Sequence, residues 1–359
     1  MKIYIETYGC AANQADSDMM KELLKEHEFV SEQKADVIIV NTCGVKGSTE
    51  NKIVDRLKKL KGKKVVVAGC LPKIIEKKLR KEFPGFSFIG PDQVTDIEEI
   101  IVDVNKGKQI IRLSGKPGQL VCLHNPKKIQ PIMICKGCLG ACAYCAAKNA
   151  RGHLYSFPAE DIVRAVKCAV DNGAETILIT AQDTGTYGLD IGTNIPALLK
   201  EVIEIPGEFK IRVGMMNPTY AIKFLNELIE VYKNSKIIKF IHVPVQAGSD
   251  SVLKLMNRRY KVADFKKIVK EFRKAIPEIT ISTDIICGFP GETEEDFQKT
   301  IELIKEVKPE VINISKFYLR PGTKAAEMKQ LNSSVIKERS RKISALMKDI
   351  RRLNKQRAV

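Results

Sequence analysis

The stretch Cys138-Leu-Gly-Ala-Cys142-Ala-Tyr-Cys145 places three thiols within eight residues. The apolar run Pro131-Ile-Met-Ile-Cys135 precedes it and has the length of a strand, so the cysteines are expected on the loop that follows a strand. Thiols grouped this tightly indicate a metal site rather than disulfides, in a chain whose first residues read as a strand and not as a secretion signal. Three ligands from one loop can hold three corners of a four-iron cluster and leave the fourth iron open.

A structural zinc site is the alternative interpretation of this stretch. Cys135 lies three residues before Cys138, so four thiols are available to close a tetrahedral site. Zinc sites usually combine two short-spaced pairs of ligands that are separated by a longer stretch, whereas these four cysteines form one run. The spacing therefore favours an iron–sulfur cluster, and Cys135 is expected to end the strand as a small buried apolar residue.

The chain of 359 residues is long enough for two ordinary domains, and its apolar runs are too short to cross a bilayer. Ten cysteines without a secretion signal predict a reducing, cytoplasmic environment. The formal net charge of +17, with a pI near 9.3, favours an anionic partner such as RNA. A solvated surface rich in lysine and glutamate, as in thermophilic proteins, gives much the same composition, so charge alone leaves both interpretations open.

Residues 1–106 alternate short apolar runs with helical patterns. This alternation predicts an α/β domain with a small parallel sheet, of Rossmann-like or flavodoxin-like type. The predicted strands are residues 3–8, 37–40, 64–68 and 86–89, and the predicted helices are residues 16–26, 49–61 and 73–81.

Three further cysteines occupy matching places in this alternation, because each one follows a predicted strand. They end the motifs Thr7-Tyr-Gly-Cys10, Asn41-Thr-Cys43 and Ala68-Gly-Cys70. The carboxyl ends of parallel strands line one edge of a sheet, where ligands bind, so these thiols are expected to converge. Three unrelated core cysteines are the alternative, since cysteine is often buried. The repeated position favours a second iron–sulfur cluster, again with one iron open.

Residues 107–130 are predicted as a linker to a second domain over residues 131–330. Six longer strand–helix units in that domain predict a partial (β/α)6 barrel of TIM type rather than a closed eightfold one. The predicted strands are residues 132–135, 176–180, 210–214, 238–243, 280–286 and 311–317. The predicted helices are residues 158–171, 195–204, 220–232, 262–274 and 294–307.

The loops at the carboxyl ends of these strands are rich in glycine and polar residues. Carboxylate, amide and hydroxyl groups there suit a cofactor with ribose hydroxyls, an ammonium and a carboxylate. The candidate cofactor contacts are Gln182, Asp183, Gln246, Ser249 and Asp284. His242 is expected to be a satisfied core residue, and Cys122 and Cys168 are expected to be structural. The role of Cys287 stays open, because it lies near the predicted catalytic edge.

The last residues, from Val335 onward, are predicted to form one long helix crowded with positive charge. Such a run is usually a solvated face, and contact with phosphates is the alternative. The basic residues are Lys337, Arg339, Arg341, Lys342, Lys348, Arg351, Arg352, Lys355 and Arg357.

Taken together, the motifs resemble those of the methylthiotransferases of the radical S-adenosylmethionine superfamily, over nearly the whole chain. Residues 138–145, with Tyr144 before the last cysteine, are similar to the signature of that superfamily. The three cysteine motifs of the first domain match as well. The remaining matching motifs are Gly69-Cys70, Ala150-Arg-Gly152, Pro244-Val-Gln-Ala-Gly-Ser-Asp250, Gly288-Phe-Pro-Gly-Glu292 and Arg320-Pro-Gly-Thr323. Within the family, Gln182-Asp-Thr-Gly185 with Tyr187-Gly188, and Arg212-Val-Gly-Met-Met-Asn-Pro218, look like the archaeal and eukaryotic branch.

The resemblance implies a radical S-adenosylmethionine barrel and two [4Fe–4S] clusters. It assigns Cys138, Cys142 and Cys145 to the radical cluster, and Cys10, Cys43 and Cys70 to an auxiliary one. The first cluster would bind S-adenosylmethionine, with Tyr144 among the cofactor contacts, and would be reduced by a flavodoxin or ferredoxin. The implied reaction adds a methylthio group, with sulfur from the auxiliary cluster, to carbon 2 of N6-threonylcarbamoyladenosine at position 37 of the tRNA anticodon loop.

The end of the chain departs from the family pattern. The family usually carries a small C-terminal β-barrel for RNA binding, and this sequence stops at Val359, where that barrel would begin. Residues 331–359 are therefore expected as a basic helix without that barrel. Either the sequence is a truncated form of a longer chain, or tRNA affinity rests on this helix and the rim of the (β/α)6 barrel.

Three alternatives stay open from the sequence. One related branch modifies an aspartate of a ribosomal protein, and its motif after the second barrel strand also contains Gln-Asp-Thr, as at residues 182–184. Another modifies isopentenyl-adenosine in tRNA. From a different class, the chain would be a zinc-stabilised RNA-binding protein without redox activity.

Overall fold

The computed structural model describes residues 1–44 and 47–357, and for residues 47–48 and 351–357 it describes the backbone alone. Within these ranges the N-terminal part forms a six-stranded parallel sheet of order β2-β1-β3-β4-β5-β6. Its strands are β1 Lys2–Thr7, β2 Glu28–Phe29, β3 Val37–Thr42, β4 Val65–Gly69, β5 Ser87–Ile89 and β6 Ile111–Arg112. Its helices are α1 Ala11–Leu23, α2 Gly47–Lys59, α3 Cys70–Ile74, α4 Glu76–Glu82 and α5 Ile97–Asn105.

Helices cover both faces of this sheet, because its central strands are apolar on both sides. In β3, Ile39 lies in the core formed with α1 and α5, whereas Ile38 and Val40 lie in the core formed with α2 and α4. A parallel strand buried on both faces is expected to read as a continuous apolar run, as β3 does. The predicted α/β fold of the first domain is thus confirmed.

The segment predicted as a linker also contributes to this sheet. Ile111 of β6 pairs with Phe88 of β5, and the apolar side chains of Ile111 and Leu113 pack against the core that contains α2 and α4. Farther along, Cys122 forms a disulfide with Cys168 of the second domain. Residues 107–130 therefore connect the two domains. The structural roles expected for both cysteines fit this arrangement, but the reducing environment predicted from the sequence does not lead one to expect a disulfide.

The second part is an open barrel of six parallel strands in two three-stranded sheets, of orders β11-β10-β7 and β12-β13-β14. A parallel bridge between Ile211 and Ile237 connects the two sheets. The strands are β7 Ile129–Met133, β8 Cys135–Lys136, β9 Tyr155–Ser156, β10 Thr176–Thr180, β11 Lys210–Val213, β12 Phe240–His242, β13 Thr280–Cys287 and β14 Val311–Lys316, with β8 and β9 forming an antiparallel pair. The helices are α6 Ala146–Arg151, α7 Ala159–Asp171, α8 Ile195–Ile203, α9 Pro218–Lys223, α10 Leu225–Tyr232, α11 Asp250–Leu255, α12 Val262–Ala275, α13 Glu294–Val307 and α14 Ser333–Arg357.

The partial barrel is confirmed, and the local differences from the predicted elements have simple causes. The first barrel strand ends at Met133 and not at Cys135, because Cys135 turns away to pair with Ser156 in the antiparallel pair. Cys135 is nevertheless fully buried, as expected. The single helix predicted for residues 220–232 is interrupted at Phe224, which caps α9 and precedes α10. None of the described helices combines the length and the apolar composition needed to cross a bilayer.

The C-terminal helix α14 packs one face on the last barrel strands, with Ile343, Met347 and Ile350 in the core. Arg339 belongs to that buried face and not to the solvated one that the charge run predicts. Its Nη1 donates to Glu292 Oε2 at 2.6 Å, and its Nη2 donates to Glu294 at 3.1 Å. Lys337, Arg341, Lys342 and Lys348 are exposed, whereas the side chains of Arg351, Arg352, Lys355 and Arg357 lie outside the described residues.

The pair formed by Arg339 and Glu292 locks α14 onto the turn Gly288-Phe-Pro-Gly-Glu292. Glu292 Oε2 also accepts the backbone N–H of Gly288 at 2.9 Å, and 4% of the Arg339 side chain and 2% of the Glu292 side chain are exposed. Burial raises the pKa of Glu292, so this carboxylate depends on its partners to stay charged. Removal of one partner leaves an uncompensated buried charge, which costs more than the pair itself contributes.

We expect the substitution Arg339→Met to lower the free energy of unfolding by about 3 kcal/mol, because it strands the Glu292 carboxylate. The double variant Glu292→Gln/Arg339→Met should recover most of this loss, since it buries no charge. Guanidinium denaturation followed by circular dichroism measures both. Arg341→Met, on the exposed face of the same helix, is the matched control and should change stability by less than about 0.5 kcal/mol. Equal losses in Arg339→Met and Arg341→Met would contradict the role of the buried pair.

Candidate active site

The three clustered cysteines occupy the loop between β8 and α6, folded around Gly140. The backbone N–H of Gly140 donates to Cys138 Sγ at 3.1 Å. A Cβ atom at Gly140 would lie 3.3 Å from Cys138 Sγ and 3.8 Å from Cys142 Sγ, so this glycine sits between the two thiols. Cys145 caps the start of α6, and its N–H donates to the carbonyl of Cys142 at 3.1 Å. The loop therefore presents the three thiols around one small space, which is what ligands to different irons of one cluster require.

Neighbouring loops of the barrel fix the backbone of this cysteine loop. Ala143 donates its N–H to Met256 at 3.0 Å and accepts the N–H of Ala325 at 2.8 Å. The side-chain amide of Asn257 donates to the carbonyl of Ala141 at 2.7 Å. These contacts come from the loops that follow α11 and β14, so the loop is positioned before any ligand binds.

Arg258 adds a cation to the same site. Its Nη1 donates to Cys142 Sγ at 3.2 Å, while its Nη2 donates to the carbonyl of Pro244 at 3.1 Å. Burial raises the pKa of the Cys138 thiol to about 12 and also raises that of Cys145. Thiols must lose their protons to bind iron, so a positively charged metal centre and donors such as Arg258 are what would stabilise them as thiolates. The donor set fits an iron–sulfur cluster.

The other three predicted ligands lie at the carboxyl ends of β1, β3 and β4. Cys10 caps α1, Cys43 follows β3, and Cys70 is the first residue of α3. A Cβ atom at Gly9, which has φ +139°, would lie only 2.8 Å from the Cβ of Cys43, so the Cys10 loop packs directly against Cys43. Cys10 is exposed, whereas Cys43 and Cys70 are buried. Burial raises the pKa of Cys70 to about 11, and the nearby charge of Cys43 adds to this rise.

A buried network of amides, which sequence reasoning missed, lies beneath these thiols. Asn13 Nδ2 donates to Asn41 Oδ1 at 3.2 Å and to the carbonyl of Thr42 at 2.9 Å. In return, Asn41 Nδ2 donates to Ser17 Oγ at 2.8 Å and to the carbonyl of Asn13 at 2.8 Å. Asn13 and Asn41 are fully buried, and the thiol of Cys10 donates to Asn13 Oδ1 at 3.5 Å. The signal in the sequence was the pair of asparagines near Cys10 and Cys43, but nothing in it showed that they pair.

Arg151 connects the helix that follows the cysteine loop to Cys70 of the first domain. This residue ends α6, the helix that Cys145 begins, yet its Nε donates to Cys70 Sγ at 3.3 Å. Its Nη2 donates to Asp16 Oδ2 of α1 at 2.7 Å. The sequence motif Ala150-Arg-Gly152 does not by itself indicate a contact with the first domain, and the fold reveals that contact. The carboxyl edges of the sheet and the barrel therefore meet at this arginine.

Two of the candidate cofactor contacts have side chains engaged in shaping the site. Gln182 Oε1 accepts the N–H of Gly137 at 2.8 Å, at the start of the cysteine loop. Ser249 is buried, and its hydroxyl donates to Asp296 Oδ1 at 2.6 Å. Three further hydrogen-bond donors hold Asp296, which lowers its pKa to about 2 in spite of partial burial. Through these hydrogen bonds, Gln182 and Ser249 hold neighbouring loops in place.

Of the other candidates, Asp183 and Gln246 follow β10 and β12, whereas Asp284 lies in the carboxyl half of β13. Asp183 is buried, and its Oδ1 accepts N–H groups of Gly185 at 3.1 Å and Asn217 at 3.0 Å. Burial raises the pKa of Asp183 to about 6. Gln246 has a left-handed backbone with φ +70° and pairs with β13, while Tyr144 stacks edge-to-face on Phe289 with centroids 6.1 Å apart.

Asp284 joins two neighbouring strands at this edge. Its Oδ1 lies 2.8 Å from His242 Nε2 and 2.8 Å from the donating amide of Asn313. His242 is partly buried and has its hydrogen bond satisfied, as expected. Cys287 is fully buried, and among the described residues no three side chains of His, Cys, Asp or Glu close on one metal ion. A cluster does not need such closure, since each of three cysteines binds a different iron.

Family descriptions match both parts of the chain. The Radical SAM superfamily matches residues 132–304, and the Uncharacterized protein family UPF0004 matches residues 2–90. The two matched ranges correspond to the barrel and the sheet domain, and each contains one of the two groups of three cysteines.

Relatives with similar sequences share one name. A protein of Methanocaldococcus jannaschii is 44% identical over 369 residues, which cover 100% of this chain and 86% of the relative. A protein of Pyrococcus horikoshii is 45% identical and covers 95% of this chain and 82% of the relative. Both are named Probable threonylcarbamoyladenosine tRNA methylthiotransferase. The human Threonylcarbamoyladenosine tRNA methylthiotransferase is 39% identical, over 96% of this chain and 62% of its own length.

Solved structures support the fold at much lower identity. The radical S-adenosylmethionine methyltransferase TsrM of Kitasatospora setae has a TM-score of 0.68 at 14% identity, over 90% of this chain and 77% of that one. The cobalamin-dependent S-adenosylmethionine radical enzyme OxsB has a TM-score of 0.61 at 10% identity, over 94% of this chain and 56% of that one. The sequence relatives, aligned over almost the whole chain, and the match to the barrel together show that the chain belongs to the threonylcarbamoyladenosine tRNA methylthiotransferase family of the radical S-adenosylmethionine superfamily.

Proposed function

We propose that this chain is a tRNA methylthiotransferase that adds a methylthio group to carbon 2 of N6-threonylcarbamoyladenosine at position 37. The observation that carries the proposal is the contact of Arg151 with Cys70, because Arg151 ends the helix that Cys145 begins and so connects the two groups of three cysteines, one in each domain. Radical chemistry alone would require only the three cysteines of the barrel. Insertion of sulfur would also account for the three cysteines of the sheet domain. The shared name of the relatives supports the substrate.

The proposed division of labour follows the two domains. Residues 1–106 would hold an auxiliary [4Fe–4S] cluster on Cys10, Cys43 and Cys70, and residues 131–330 would hold the radical cluster on Cys138, Cys142 and Cys145. When bound, the clusters and S-adenosylmethionine supply the one-electron chemistry and the sulfur, which acid and base groups of the protein could not provide. The chain itself positions and shields them.

Particular residues perform that positioning. The N–H of Gly140 donates to the sulfur of Cys138 and the guanidinium of Arg258 donates to that of Cys142, and these hydrogen bonds orient the two side chains. Tyr144 lies in the cysteine loop and packs edge to face on Phe289, so the two rings form an apolar wall beside that loop. Phe317 extends this wall, at a centroid distance of 5.4 Å from Phe289.

We assign the cofactor contacts to the carboxyl ends of successive barrel strands. Asp183, Gln246 and Asp284 lie there with their side chains or backbone fixed by neighbours, which is the condition for a pre-formed site. Tyr144 belongs to the same edge through its place in the cysteine loop. Gln182 and Ser249 act on the same site at one remove, through Gly137 and Asp296 respectively.

The anticodon loop is the part of tRNA that this chain would bind, because carbon 2 of a stacked adenine is out of reach. A base in a single-stranded loop leaves its stack at low cost. The net charge of +17 and the exposed Lys337, Arg341, Lys342 and Lys348 of α14 suit phosphate contacts. A flavodoxin or ferredoxin is the proposed electron donor.

The two-cluster assignment predicts different effects for cysteines that are equally buried. Cys43→Ala should halve the iron bound per chain and abolish methylthiolation, while S-adenosylmethionine is still cleaved at the intact radical site. Iron analysis after anaerobic reconstitution and chromatography of deoxyadenosine measure this. Cys287→Ala is the matched control, because Cys287 is fully buried at a strand end but belongs to neither group, and it should keep its full iron content. Thiolated product from the Cys43 variant would contradict the scheme.

The substrate assignment is tested by nucleoside mass spectrometry. Reconstituted protein, reductant and S-adenosylmethionine should convert N6-threonylcarbamoyladenosine of added tRNA to its 2-methylthio derivative under anaerobic conditions. tRNA that lacks the threonylcarbamoyl group is the matched control and should stay unmodified. Methylthiolation of isopentenyl-adenosine instead would move the chain to another branch, and a protein that binds zinc but no iron would remove it from redox chemistry.

A further inference from the structure

The guanidinium of Arg151 is buried between the sheet domain and the barrel, with 2% of its side chain exposed. Its Nε donates to Cys70 Sγ at 3.3 Å, and its Nη2 donates to Asp16 Oδ2 at 2.7 Å. Its Nη1 faces the sulfur of Met133 at 3.9 Å. A buried arginine normally pairs with carboxylates or backbone carbonyls, so a cysteine sulfur as its second partner needs a reason.

The position of Arg151 is fixed from the radical-cluster side. It stands at the end of the short helix that Cys145 caps, and the next residue, Gly152, closes that helix with an N–H bond to Lys148 of 2.8 Å. The carbonyl of Gly152 accepts the N–H of Cys138 at 3.4 Å. Cys138 and Cys145, at the two ends of the cysteine loop, are therefore both connected to the segment that contains Arg151.

Cys70 is fixed from the other side. Gly69, with φ +93°, leads into it, and a Cβ atom there would lie 2.5 Å from the backbone carbonyl of Thr42. The backbone of Cys70 is thus held against β3, and its thiol points to Arg151. A second buried cation, Lys136, lies nearby but donates to the carbonyl of Pro91 at 3.0 Å and contacts Asp92 at 3.9 Å. Contacts within each domain therefore hold the thiol of Cys70 and the guanidinium of Arg151 next to each other.

We propose that Arg151 is a positioning residue of the Cys10/Cys43/Cys70 site, and that its Nε–H bond to the Cys70 sulfur holds a cluster bound there at a raised reduction potential. The inference rests on the proposed function, which assigns a cluster to these cysteines. A donor to a ligand sulfur stabilises the extra negative charge of the reduced cluster, and burial strengthens the effect.

The hydrogen bond, rather than net charge, is the element that acts on the potential. Asp16 lies on the same guanidinium at 2.7 Å, so the two charges largely offset each other at a distance. The Nε–H bond to Cys70 is local and has no such compensation. A lysine at position 151 keeps the charge near Asp16 but lacks the guanidinium geometry that reaches both partners, so it should retain only part of the effect.

The test isolates the auxiliary site in the 359-residue chain. The background variant carries Cys138→Ala, Cys142→Ala and Cys145→Ala, so that iron binds only at the remaining group after anaerobic reconstitution. Arg151→Lys, Arg151→Met and the charge-balanced Asp16→Asn/Arg151→Met are each added to it. A redox titration followed by electron paramagnetic resonance gives the midpoint potential, and iron analysis and melting temperature are recorded beside it.

We expect the potential to fall in the order Arg151, Arg151→Lys, Arg151→Met, and the charge-balanced double variant, which leaves no uncompensated Asp16 charge, to lie below Arg151 but not below Arg151→Met. Arg258→Lys and Arg258→Met in the same background are the matched controls. They remove the corresponding donor at Cys142, which this background lacks, and should leave the potential unchanged. The iron content should stay the same in the Arg151→Lys variant.

Three results would overturn the inference. Potentials of the Arg151 variants that equal the background potential would show that the hydrogen bond does not act on the cluster. An equal shift in the Arg258 controls would mark a general effect of substitution. Loss of iron from every Arg151 variant with an unchanged melting temperature would show that Arg151 is needed to retain the cluster, and would overturn its assignment as a residue that sets the potential. A background variant that binds no iron at all would overturn the cluster assignment in the proposed function itself, and so can be told apart from these.

Discussion

The buried ion pair between Arg151 of the barrel and Asp16 of the sheet domain sets the relative position of the two groups of thiols. Both side chains are almost fully enclosed, with 2% exposure each, and the pair is 2.7 Å long. A buried pair of this kind is costly to break, because either partner alone is a charge without water. The two domains are therefore held in the one arrangement in which the carboxyl ends of their strands face each other.

Helix α1 is the element through which this arrangement is made. Ala12 and Ala15 pack into the core of the barrel, although the helix belongs to the sheet domain. Asp18 accepts hydrogen bonds from Lys127, which precedes the first barrel strand, and from Gln130, which lies within it. The small side chains of Ala12 and Ala15 allow α1 to pack closely against the barrel. The ion pairs of Asp16 and Asp18 orient the helix there. The disulfide between Cys122 and Cys168 fastens the same boundary outside the site.

The site combines low exposure with many oriented donors. Burial by itself opposes ionisation of the thiols, as the raised pKa values of Cys70 and Cys138 show. The N–H of Gly140 and the guanidinium groups of Arg258 and Arg151 work in the opposite direction. Since electrostatic interactions strengthen where water is excluded, each of these donors has a larger effect here than on the surface. These donors offset only part of the effect of burial, so a bound cluster would supply the positive charge that the thiolates still need.

Two domains with parallel strands and two groups of three cysteines could be predicted from the sequence, because spacing and apolar alternation are local properties of the chain. The packing of the elements was needed to show that Arg151 reaches Cys70, that Arg339 of the charged helix pairs with Glu292, and that Gln182 and Ser249 hold loops. Arg151 and Cys70 are 81 residues apart, and Arg339 and Glu292 are 47 apart. No periodicity records which side chains meet across such separations, since that depends on how the elements pack and on which direction each side chain takes from its backbone.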